Sequence, residues 1–119
     1  MSFIRKPALA ASCLMAASVL LAHPAVAQES PTLKKIKDSG TIALGHRESS
    51  IPFSYYDDKQ QVVGYSQELM LKVVDAVKAE LKLPALAIKL TPVTSQNRIP
   101  LVQNGTVDIE CGSTTNNSE

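Results

Sequence analysis

Residues 67–82 carry Leu69, Met70, Val73, Val74, Val77 and Leu81 at helical spacing, one apolar stripe along an amphipathic helix. Short apolar runs flank it, residues 41–44 before and 87–90 after, each with the length and polar borders of a buried strand. Strands that alternate with helices predict a parallel sheet joined by right-handed crossovers. A third strand is expected over residues 106–110, after a short helix that tolerates Pro100 in its first turn and stops at Asn104-Gly105. The expected fold class is α/β, a parallel sheet with flanking helices. Ser66 reads as the N-cap of the long helix, Tyr65 and Met70 as its hydrophobic staple, and Pro84 as its stop. Leu33 and Ile36 suggest a short helix closed by Gly40, and residues 53–56 and 61–63 suggest a hairpin around a polar turn.

Residues 1–27 have the pattern of a cleavable export leader. Arg5 and Lys6 precede a largely apolar run over residues 8–22, and Ala25-Val26-Ala27 forms a small-residue cleavage site. The run is too short to span a membrane, and Cys13 lies too early within it to form a lipoprotein box. The chain after the leader holds ten Lys+Arg against eleven Asp+Glu, a charge of −1. Near-neutrality argues against a nucleic-acid partner, since binding a phosphate backbone needs a basic patch. Cys111 is the one cysteine after the leader, either a buried free thiol or half of a bridge to a partner outside the sequence.

Each expected strand opens into a polar loop: HRESS at residues 46–50, TSQNR at 94–98 and GSTTNN at 112–117. Parallel strands bring such loops to one edge, where open α/β sheets bind ligands. The loops supply two guanidinium groups, Arg47 and Arg98, with the hydroxyls of Ser95, Ser113 and Thr115. A guanidinium is a fixed fork of donors that fits a carboxylate, and a charge-assisted hydrogen bond contributes about 1.5–3 kcal/mol. Gly112 lets the backbone come close to a ligand. This set suits anions. Each residue also has a plainer role open to it: Ser95 as a helix cap, Thr115 as a turn residue, Arg98 as a solvated charge. Catalytic sets are poor. His46 is the one histidine after the leader, and neither a phosphate-loop glycine pattern nor a metal-ligand cluster is present, so no cofactor or metal is expected.

The stretches GHRESSIPFSYYD, VVGYSQEL, TSQNRIPLVQNGTVD and ECGSTTNN resemble the first half of lobe 1 of family-3 periplasmic solute-binding proteins, most closely those for glutamate and aspartate. The resemblance implies a type II periplasmic binding protein-like fold, of which residues 28–119 are the N-terminal part of lobe 1. It implies Arg47, Ser95, Arg98, Ser113 and Thr115 as first-lobe contacts. Arg47 and Arg98 would hold an acidic side chain, and Ser113 and Thr115 would face the α-amino and α-carboxylate groups. It further implies L-glutamate or L-aspartate as ligand, a periplasmic location, and the permease subunits of an ABC importer as partners. The family carries an arginine clamp for the α-carboxylate shortly beyond the third loop, and then a hinge and a second lobe. The sequence stops before them, so binding by this chain alone is expected to be weak or absent. A sensor domain or a periplasmic dehydratase of the same fold is an alternative, because fold does not settle function.

Overall fold

The computed structural model describes residues 29–115, so the expected leader lies outside the described residues. In chain order the elements are α1 (Pro31–Ser39), β1 (Thr41–His46), β2 (Ser49–Ser50), β3 (Ser54–Tyr56), β4 (Val62–Val63), α2 (Tyr65–Leu81), β5 (Ala87–Pro92), α3 (Arg98–Gln103) and β6 (Ile109–Glu110). The main sheet has the order β5-β1-β6 and both pairings are parallel. A small antiparallel sheet, β2-β3-β4, sits in the connection between β1 and α2 and contains the expected hairpin.

The central strand is longer than its apolar core. β1 runs on through Gly45 and His46, pairing them with Thr91 and Pro92 of β5. Gly45 relieves crowding: a Cβ there would lie 3.0 Å from Val107 Cγ1 and 3.2 Å from Val93 Cγ1, tighter than ordinary contact. Its neighbours Ile42 and Leu44 point to the other face and pack with Ile36 of α1, Met70 and Val74 of α2, and Leu86. Fully burying side chains of this kind contributes about 1.5–3 kcal/mol each.

β6 is shorter than the expected strand. Its first half is replaced by the Asp108 side chain, whose Oδ2 accepts from Ala43 N–H at 2.8 Å while Asp108 N–H donates to Ala43 C=O at 2.9 Å. Oδ1 of the same buried carboxylate meets Lys35 Nζ at 2.6 Å, tying α1 to the sheet.

Three expectations about α2 need correction. It begins at Tyr65, with Gly64 as N-cap and no side-chain cap. Its first N–H groups instead donate to loop carbonyls, Tyr65 to Pro52 at 3.0 Å and Ser66 to Phe53 at 2.8 Å. Only glycine fits that corner: Gly64 has φ +118°, and a Cβ would stand 2.5 Å from Phe53 O. Tyr65 is therefore helical and exposed, so the register of a Tyr65–Met70 staple is lost. At the other end the helix stops before Pro84, at Lys82 in the left-handed conformation, with Leu83 N–H returning to Lys78 C=O at 3.0 Å. The smaller expectation for Gly40 holds, with φ +66° and its N–H on Ile36 C=O.

The covering layer is narrower than the sheet. Of the α2 stripe, Met70 and Val74 are buried, but Leu69 and Val73 are exposed and line an open apolar groove of about 510 Å³ with Ile109 and Cys111. Ile88 and Leu90 of β5 share the face of Ile42 and Leu44 yet stay exposed. The architecture is α/β, a parallel sheet with flanking helices, as expected.

Candidate functional site

Because all three main strands run parallel, their C-terminal ends bring the three polar loops to one edge. Arg47 follows β1, and its backbone is held by a side chain that sequence reasoning passed over. Ser54 is fully buried; its Oγ accepts from Arg47 N–H at 2.9 Å and donates to Arg47 C=O at 3.2 Å. His46 supports the same carbonyl. Its Nδ1 lies 3.2 Å from Arg47 O, a contact that puts the proton on Nδ1, and its ring sits edge-on to Tyr56 at 5.5 Å. Buried and engaged in this way, His46 is a framework residue.

From that fixed backbone the Arg47 side chain crosses to the second loop, where Nη1 donates to Ser95 Oγ at 2.9 Å. Ser95 is thus free of capping duty. Thr94 and Asn97 close the turn before α3 between themselves, Asn97 Oδ1 accepting from Thr94 N–H and Thr94 Oγ1 from Asn97 N–H. Arg98 N–H also turns inward, to Thr94 C=O. The start of α3 is therefore a closed turn, which leaves its N-terminus little to offer an anion. Arg98 itself is half-buried, with Nη1 enclosed and without a hydrogen-bond partner among the described residues. Arg47 and Arg98 share no hydrogen-bond partner there.

The third loop lies against Arg47. A Cβ on Gly112 would be 2.8 Å from Arg47 Cγ and 2.7 Å from Glu110 Oε1, so glycine lets the loop backbone rest on the arginine stem. Two further groups hold this loop. Ser66 Oγ donates to Gly112 C=O at 3.0 Å, which is what the hydroxyl does in place of capping α2, and Glu110 Oε2 accepts from Thr114 Oγ1 at 2.8 Å. Ser113 and Thr115 are exposed on the loop beyond them. Cys111 is a half-buried free thiol. Ser54, Ser66 and Glu110 each lie in a stretch read for another purpose, a hairpin, a helix cap and a strand. No local pattern marks Ser54 or Ser66, whose partners lie 7 and 46 residues away.

Chemically, the edge presents one guanidinium pinned to a hydroxyl, a second with an idle donor, and an exposed hydroxyl-bearing loop. It can bind an oxyanion and orient it. Among the described residues no three His, Cys, Asp or Glu side chains gather in a way that could hold a metal ion, and no helix is long and apolar enough to cross a membrane.

The chain is 56% identical over 117 residues to the glutamate/aspartate import solute-binding protein of Escherichia coli K12, covering 98% of this chain and 39% of that protein. It is 61% identical over 115 residues to an L-glutamate/L-aspartate-binding protein of Pseudomonas aeruginosa, covering 95% and 37%. The chain thus spans less than two fifths of the length of these relatives. Among solved structures, an ancestral cationic amino-acid solute-binding protein superposes with a TM-score of 0.62 at 26% identity, over 72% of this chain and 34% of that one. The description of bacterial extracellular solute-binding proteins, family 3, matches residues 42–119. That span takes in all three loops that the parallel sheet gathers at one edge, and the chain belongs to this family.

Proposed function

We propose that this chain forms the arginine-bearing side of a binding site for an acidic amino acid, L-glutamate or L-aspartate, in the solute-binding component of an ABC importer. The observation that carries the proposal is the Arg47 Nη1–Ser95 Oγ contact at 2.9 Å, with Gly112 packed against the same side chain, which joins all three loops around one guanidinium. Arg47 and Arg98 take the side-chain carboxylate. Ser95 orients Arg47, and Ser113 and Thr115 face the α-amino and α-carboxylate groups. The glutamate/aspartate roles of the relatives support this choice of ligand.

The function is capture without chemistry: a ligand bound between two lobes stabilises their closed form, which docks on membrane permease subunits. The protein works in the periplasm, reached through the leader at residues 1–27. It is a binding protein and no enzyme, in keeping with the framework role of its buried His46.

The test is a titration of the full chain with L-glutamate followed by amide NMR. Saturable shifts at millimolar ligand are expected at Arg47, Ser95, Arg98 and the loop around Gly112, with weaker response to L-glutamine. Contacts from one side only leave the affinity short of micromolar, each tenfold being about 1.4 kcal/mol. No response at these loops, or an equal response to glutamine, would overturn the assignment.

A further inference from the structure

Glu110 is a carboxylate built into an edge that otherwise suits anions. Its stem rises beside Gly45, with Cγ 3.3 Å from where a Cβ would stand. One oxygen holds the loop through Thr114; the other is enclosed beneath Gly112, beside the aliphatic stem of Arg47, and has no hydrogen-bond partner among the described residues. No guanidinium or amine lies within ion-pair distance of it there, since none of the ion pairs among the described residues includes Glu110. An enclosed carboxylate oxygen without a donor is costly, and a nearby cation relieves it.

Among the described residues, the fixed charges at the edge are thus two positive, Arg47 and Arg98, and one enclosed negative, Glu110; Glu48 is exposed and solvated. An acidic amino acid carries the complementary set, two carboxylates and one ammonium. A plain dicarboxylate of the same length carries two carboxylates and nothing for Glu110.

We propose that Glu110 is a specificity-determining residue, whose enclosed charge makes this edge select amino dicarboxylates over dicarboxylates that lack an ammonium group. It acts through its field, because the free oxygen is covered. The inference rests on the acidic-amino-acid reading above. A single charge–charge interaction at about 10 Å and an effective dielectric of about 20 corresponds to roughly tenfold in affinity.

The test compares L-glutamate with glutarate, the same skeleton without the amine, by amide NMR titration of the full chain and of Glu110→Gln. Glutamine keeps an oxygen for Thr114 and removes the charge. Glu110→Gln should lower the glutamate-to-glutarate affinity ratio about tenfold, mainly by improving glutarate binding. Thr114→Ala, which removes the hydrogen bond and keeps the charge, should leave the ratio unchanged. Equal binding of both ligands by the unmodified chain overturns the inference without any variant, and so does an unchanged ratio in Glu110→Gln. Absence of any glutamate response in the unmodified chain is a different result, which removes the ligand assignment itself.

Discussion

Replacing Ser54 by alanine tests whether the first loop is held as described. The hydroxyl is fully buried and makes two hydrogen bonds to one residue, accepting from Arg47 N–H at 2.9 Å and donating to Arg47 C=O at 3.2 Å. His46 Nδ1 remains for the carbonyl after the change, but the N–H loses the acceptor that the structure gives it. A net hydrogen bond is worth about 1 kcal/mol, and an orphaned buried donor costs about 1–3 kcal/mol. The expected loss is therefore roughly 2 kcal/mol, or about 8–16 °C in Tm for a domain of this size. Urea unfolding followed by circular dichroism reads it directly: the midpoint should fall while the slope stays constant. Ser49→Ala, at an exposed position of β2, should change stability by less than about 0.5 kcal/mol. In the amide spectrum of Ser54→Ala, Ser95 should also shift, because the Arg47 side chain leaves from the backbone that Ser54 fixes. A Ser54→Ala midpoint indistinguishable from that of Ser49→Ala would refute the reasoning.

Asp108→Ala should cost about 3 kcal/mol, because it orphans Ala43 N–H inside the sheet, with Asp108→Asn costing less and Lys35→Ala least, as Lys35 is half-exposed; any other ranking in urea unfolding contradicts the accounting. Gly64→Ala forces a methyl to within 2.5 Å of Phe53 O at φ +118°, so the corner must open, and amide exchange at Tyr65 and Ser66 should quicken while that at Val74 changes least. Unaltered exchange at the corner would show that the contact relaxes elsewhere. The hydrogen bond and charge of Asp38 raise the Lys34 amine above its ordinary value, so the contribution of this pair is present below that ordinary pKa and fades as pH climbs through the raised one. The pair is solvated, so the observable is the Lys34 side-chain titration by NMR, whose midpoint should drop in Asp38→Asn. An identical midpoint in the variant would refute the assigned cause.

The α/β alternation was legible because each element announces itself locally. The stripe on α2 has helical spacing, Gly40 stands where a left-handed closure is needed, and residues 41–44 form a bounded apolar run. The three polar loops were legible too, because a strand end followed by a run of hydroxyl and guanidinium residues is a local pattern. Wrong expectations came where a long-range partner took over a local duty. Ser66 has the chemistry of a cap, yet the carbonyls of Pro52 and Phe53 cap α2 and its hydroxyl turns to Gly112. Asp108 sits in a strand pattern, yet its carboxylate replaces half of the ladder. Leu69 and Val73 keep helical spacing with Met70 and Val74, but they face the open groove beside Ile109 and Cys111 and stay exposed.

By itself the sequence determined the element types, the parallel connection between β1 and β5, and the chemical character of the edge, because period, turn residues and side-chain charge are properties of short stretches. Tertiary structure alone decided which hydroxyl meets which arginine, that His46 and Ser54 serve as framework, and that Glu110 sits enclosed among the three loops. The Arg47–Ser95 and Ser66–Gly112 contacts join residues 48 and 46 positions apart at 2.9 and 3.0 Å, and only the packed sheet specifies those distances.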